Sequence, residues 1–222
     1  MPVWRPVPEM ANSVENTPVP LCVLISGRGS NLRAIGEAIA TGQLRAVIRV
    51  VVSNRADAMG LEWARAEGIE TLVLPHQDYP SRAAYDEALV TALKGRGVRL
   101  VCLAGFMRLL GPAFCEAFPQ AVLNVHPSLL PSFPGAAAQA QALAHGVKVS
   151  GVTVHFVTPE LDAGPIVMQA AVPVRDDDTY ETLSTRILVE EHRVYPEAIQ
   201  RIIAGGWRVD GRRVVTTPVS ET

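Results

Sequence analysis

The sequence predicts an α/β protein: one domain built on a mostly parallel, Rossmann-like sheet with helices on both faces. Three observations predict it. Short apolar runs alternate with helical patterns through the first half of the chain, the order that builds parallel sheets covered on both sides. The first and fourth of these runs are continuous, as in strands buried on both faces. Glycines close the helical patterns before the next strand begins.

Residues 21–25 are the first expected strand, followed by a Gly-rich turn and a helix from about 30 to 40. Residues 47–52 form the second strand, and 56–67 a helix stopped by Gly68. Residues 70–74 are the third strand, 81–93 a helix ending at Gly95 and Gly97, and 100–104 the fourth strand. The second half is less regular. Residues 121–125 read as a strand running into His126 and a loop with Pro127, Pro131 and Pro134. Residues 136–145 read as a helix stopped by Gly146, and 150–157 and 167–174 as two further strands. A long helix starts near Asp178, with Glu181 three residues on as a capping box. Pro196 should kink it and Gly205-Gly206 should end it. Residues 207–215 look like a hairpin turning at Asp210-Gly211.

Composition narrows the function. At 222 residues and 48% hydrophobic content the chain can fill a sizeable core. A formal net charge of -2 makes no electrostatic case for a nucleic-acid partner. Cys22, Cys102 and Cys115 match no metal or redox spacing, and the five histidines lack a ligand pattern, so no metal is expected. No stretch approaches the roughly 18–20 apolar residues of a membrane span, so no membrane partner is expected. The N-terminus lacks a basic region followed by an apolar run, so it does not read as a signal peptide, and a cytoplasmic location is expected. Residues 1–17, with Pro2, Pro6 and Pro8 among polar residues, read as a flexible Pro-rich tail, leaving 18–222 as the folded domain.

The first candidate site is Ser26-Gly27-Arg28-Gly29-Ser30-Asn31-Leu32, between a buried strand and a helix. Glycines let the backbone turn sharply and approach a ligand, and a helix N-terminus offers unpaired N–H groups to a phosphate. A purely structural turn is the alternative. A dinucleotide fits poorly: Leu32 stands where the third glycine would fall, and the second strand ends in Ser53-Asn54 without an acidic residue for a ribose.

The densest cluster is Asn124-Val125-His126-Pro127-Ser128. Asn124 and His126 are two apart on an extended segment, so they face the same side, and Pro127 keeps His126 extended. An amide and an imidazole at a strand end could stabilise an oxyanion. A hydrogen-bonded structural histidine is the competing reading. Asp162, in a turn with Gly164 and Pro165, would raise the pKa of His126 if it lay alongside.

These motifs carry a resemblance. NVHPSLLP at 124–131 resembles the catalytic motif of the folate-dependent formyltransferases. SGRGSNL at 26–32, LAGFMRLL at 103–110 and LDAGPI at 161–166 resemble the branch of that family acting on glycinamide ribonucleotide. The likeness runs from about residue 21 to 206. It implies transfer of a formyl group from 10-formyltetrahydrofolate, as co-substrate, to the ribonucleotide amine, in purine biosynthesis. By resemblance, Asn124, His126 and Asp162 are catalytic; Gly29, Ser30, Asn31 and Glu191 bind the ribonucleotide; and Arg82, Met107, Arg108, Leu109, Leu110 and Asn124 form the folate site. The N-terminal half would bind phosphate, and the C-terminal half would hold the catalytic and folate groups. His155 matches a recurrent family histidine, in a supporting role. The partners implied are small molecules, and a homodimer is among the assemblies left open. A hydrolase relative would use water in place of the amine. One departure stands out: relatives carry a histidine a residue or two after Pro134-Gly135, where this chain reads Ala136-Ala137-Ala138.

Overall fold

The structure is a computed structural model in which residues 17–217 are described; the expected tail lies almost wholly outside them. Among the described residues, nine strands form one sheet. The first half follows the apolar pattern: β1 (Val19–Ile25), α1 (Ser30–Ala40), β2 (Ala46–Ser53), α2 (Met59–Ala66), β3 (Thr71–Val73), α3 (Arg82–Lys94) and β4 (Leu100–Leu103). Then come α4 (Pro112–Ala117), β5 (Val122–His126), α5 (Ala138–Ala144), β6 (Val149–Phe156), β7 (Ile166–Pro173), α6 (Tyr180–Ala204), β8 (Trp207–Asp210) and β9 (Arg213–Thr216). Strands β3, β2, β1, β4 and β5 pair in parallel. β6 and β7 add antiparallel, and the β8–β9 hairpin joins through β9 beside β7. Leu21–Ile25 and Leu100–Leu103 are buried throughout, as continuous apolar runs require. No helix among the described residues is long and apolar enough to cross a membrane.

Several boundaries differ from the sequence reading. The third strand shrinks to three residues, and a 3-10 turn at His76–Asp78 and the short helix α4 were not expected. α4 carries Pro at its first position after Gly111, a start signal hidden by its shortness. The capping box of α6 is Thr179 with Thr182, not Asp178 with Glu181. Asp178 is engaged elsewhere: its carboxylate accepts from Arg186, from the Thr182 hydroxyl and from the Arg175 N–H. α6 continues through Pro196 as one helix of 25 residues. Its apolar face, including Leu183, Ile187, Val194, Ala198 and Ile202, is buried and packs on α1, β6 and β7, as the 3.6-residue period dictates. From that face the Tyr195 hydroxyl reaches the carbonyls of Leu103 and Leu123 at 3.0 and 3.1 Å, fixing β4 and β5 against the helix.

Candidate active site

β5 carries the centre of the site. Asn124 pairs in register with Leu103 of β4 and with His155 of β6, so the amide and that imidazole lie side by side, Asn124 Nδ2 3.3 Å from His155 Nε2. Two residues on, His126 points to the same side. Asp162 reaches both histidines from the turn between β6 and β7: its carboxylate oxygens lie 3.4 Å from His126 Nδ1 and 3.6 Å from His155 Nε2. The turn holds Asp162 at a φ of 49°, and the Gly135 N–H donates to its Oδ2 at 2.8 Å. A chain that returns antiparallel through β6 thus brings Asn124, His126 and Asp162 into contact across 38 positions of sequence.

Hydrogen-bond chemistry fixes one donor on each ring. A carbonyl only accepts, so His126 donates through Nε2 to Phe133 O at 2.9 Å, and His155 donates through Nδ1 to Phe156 O at 2.9 Å. His155 Nε2 then sits between the Asn124 amide and Asp162 Oδ1. Burial lowers the pKa of His126, and it outweighs the Phe133 carbonyl and Asp162, which act the other way. The carboxylate does act to raise it, as expected, but desolvation of an imidazolium is the larger effect here. Burial pushes the Asp162 carboxyl up, but His155, the Gly135 N–H and His126 overcome it, and the group ends below the ordinary carboxylate range.

The loop after His126 is pinned by groups that sequence reading missed. Thr153, opposite His126 in the sheet, donates to Ser128 O at 2.7 Å and accepts from the Leu130 N–H at 3.0 Å. Gln169, opposite Thr153 on β7, donates to Leu130 O at 3.0 Å. Two uncharged polar residues facing each other inside apolar strands were the available signal.

The phosphate-type loop sits at the carboxyl end of β1. Gly29 takes a φ of 74° and leads into α1, so the first N–H groups of that helix are open to an anion. Asn31 donates to Glu191 Oε2 at 2.6 Å, joining the loop to α6. Glu191 is buried, and burial raises its pKa against the opposing Asn31 bond.

The segment after β4 lies between these two groups in the sheet. Met107 is 76% exposed and Leu109 50%, an apolar surface suited to a flat ring. Arg108 lies over the Tyr85 ring at 5.7 Å, and Arg82 opens α3 nearby, its Nε 3.6 Å from a Cβ built at Gly111. Leu110 is buried, so only its backbone can meet a ligand. A cavity of about 690 Å³ between α1 and α6 shares Ser30 with the loop but is otherwise lined by groups such as Arg33, Glu37, Arg193 and Glu197; the charges cancel, and the chemistry lies elsewhere. Among the described residues no group of side chains is placed to hold a metal ion.

The protein thus has a mostly parallel, Rossmann-like sheet, with a Gly-rich loop at the end of β1 and an amide, an imidazole and a carboxylate converging at the end of β5. The family model described as formyl transferase matches residues 20–199. The chain belongs to the formyl transferase family. It is 45% identical over 192 residues to the phosphoribosylglycinamide formyltransferase of Escherichia coli (strain K12), covering 86% of this chain and 88% of that protein. The crystal structure of glycinamide ribonucleotide transformylase 1 from Symbiobacterium toebii matches with a TM-score of 0.88 at 53% identity, over 90% of this chain and 95% of that one. The trifunctional purine biosynthetic protein adenosine-3 of Bos taurus is 45% identical over 89% of this chain, but the chain spans only 20% of that protein.

Proposed function

We propose that this enzyme transfers the formyl group of 10-formyltetrahydrofolate to the amine of glycinamide ribonucleotide, a step of purine biosynthesis. The observation that carries the reading is the contact of Asp162 with His126 at 3.4 Å beside Asn124. The 27–31 loop receives the phosphate, with Gly29, Ser30 and Asn31 as its contacts, and Glu191 holds the ribose side. Met107 and Leu109 cover the pterin, with the Leu110 backbone along its edge. Arg82 and Arg108 answer the anionic end of the folate.

The amine nitrogen attacks the formyl carbon, and the formyl oxygen becomes an oxyanion. Asn124 Nδ2 and the His126 ring N–H donate to it. Phe133 O holds that ring N–H in the free protein, and an oxyanion is the stronger acceptor. The amine is now an ammonium. It loses a proton to the neutral ring nitrogen that faces Asp162, through water. The oxyanion then re-forms the carbonyl as the carbon–N10 bond breaks and N10 takes up the proton that His126 had accepted, leaving formylated ribonucleotide, tetrahydrofolate and a neutral ring. The ionised Asp162 stabilises the imidazolium that forms in between.

The test is loss of the formyl group from 10-formyltetrahydrofolate, followed by absorbance with and without glycinamide ribonucleotide. Loss only with the ribonucleotide is expected. Loss without it would make the enzyme a hydrolase.

A further inference from the structure

The loop assigned to the ribonucleotide and the segment assigned to the folate meet at one side chain. Ser26 follows β1 and is 9% exposed. Its hydroxyl donates to Asn54 Oδ1 at 2.6 Å and accepts from the Met107 N–H at 2.9 Å. Its own N–H donates to Gly105 O at 3.2 Å. A hydroxyl has one proton, and buried Asn54 takes it, so the lone pair is aimed at Met107. On the other side, Gly27 begins the phosphate-type loop, and its carbonyl accepts from the Gly60 N–H at 3.1 Å. The far end of the folate segment is tied separately, by the Gly111 N–H to Asp86 Oδ2 at 2.7 Å. Between those ties Met107 and Leu109 remain exposed.

We propose that Ser26 is a positioning residue that couples the two substrate sites, so that filling either one tightens the other. The inference rests on the transferase reading. A phosphate on the 27–31 loop fixes the backbone next to Ser26. Ser26 in turn fixes one end of the segment that a pterin would cover. The second ligand then binds a segment already ordered, which gives cooperativity without a change of shape. The coupling is reciprocal: each ligand raises the other's affinity by the same factor.

Titration calorimetry with tetrahydrofolate and glycinamide ribonucleotide, singly and together, tests it. In the natural protein each ligand should bind at least about fivefold more tightly when the other is present. In Ser26→Ala each ligand alone should stay within about threefold of its normal Kd, while the coupling factor falls towards one. Ser26→Thr, which keeps donor and acceptor, should retain coupling. If the alanine chain does not fold, Ser26→Cys, a weak hydrogen-bonding group of similar size, should show the same loss. No coupling in the natural protein, or full coupling in Ser26→Ala, overturns the proposal. So does loss of one ligand alone in Ser26→Ala, which would make Ser26 a support for one loop. A natural protein that binds neither ligand singly overturns the transferase reading itself, and the coupling with it.

Discussion

Gly29 offers the sharpest quantitative test, because the structure separates its two constraints. Its φ is +74°, and a Cβ built on it would lie 2.8 Å from Gly60 Cα. The left-handed conformation costs an alanine about 1–2 kcal/mol, of which the stiffer unfolded chain returns about 0.4–1 kcal/mol. The contact with Gly60 adds an overpacking penalty of about 1–3 kcal/mol. Gly60 is backbone tied to Gly27 O at 3.1 Å, so it yields less easily than a side chain. Gly29→Ala should therefore destabilise by about 2–3 kcal/mol. Two other glycines isolate the contributions. Gly42 has a φ of +75° with nothing within 4 Å of the added Cβ, so Gly42→Ala should cost about 0.5–1 kcal/mol. Gly27 has neither constraint, and Gly27→Ala should stay within about 0.5 kcal/mol. Urea unfolding at constant m-value ranks the three. Only Gly29→Ala should also displace the N–H groups that open α1, raising the KM for the ribonucleotide about tenfold. A Gly29→Ala protein no less stable than Gly42→Ala, with an unchanged KM, would refute the packing argument.

Four further outcomes follow from the site. Asn124→Ala and His126→Ala should each lower kcat by ~10²–10³ in the absorbance assay; near-normal turnover in either removes that residue from the mechanism. Burial raises the Glu191 carboxyl above its ordinary 4.5, so its stabilising contribution is present below that value and lost as pH rises through the folded pKa. Glu191→Gln keeps an acceptor for Asn31 without the charge, and should melt higher than the natural protein at pH 7 but not at pH 4, while binding the ribonucleotide more weakly; a lower melting temperature at pH 7 would contradict this. His126 lies below its ordinary 6.5, so the neutral ring persists until pH falls through that lowered value, and both the fold's stability and kcat/KM should drop in that acid range. Asp162→Asn removes a charge that favours the ring's proton, so in whatever activity remains the acid limb should move to lower pH; a limb that stays in place would detach Asp162 from His126.

The parallel half was legible because its physics is local. Apolar runs, helix periods and glycine stops each lie within a few residues, and β1, α1, β2 and β4 fall within two residues of their expected bounds. The rest depended on contacts between distant segments. Asp178 looked like a cap until Arg186 and Thr182 claimed its carboxylate. Ala136 looked like a helix start, since alanine favours helix. Yet Gly135 is held by Asp162, Gln141 donates to the carbonyls of Pro134 and Ala136, and Ala137 is turned to a φ of 56°. α5 therefore begins only at Ala138. Resemblance singled out Asn124, His126 and Asp162, which the structure brings together, but it could not say which effect dominates the histidine's pKa.

That balance follows from the architecture. β6 runs back against the parallel strands, and the turn that follows it sets Asp162 against buried His126. That turn supplies the carboxylate that would favour an imidazolium, while burial of the ring disfavours it. Burial prevails, and this suits the proposed mechanism, in which His126 accepts a proton and Asp162 stabilises the charge once it has arrived. The segment that opens with Gly135 sits against the same carboxylate, whose Oδ2 accepts the Gly135 N–H. Asp162 therefore faces two imidazoles, His126 and His155, while one of its oxygens is also tied to backbone.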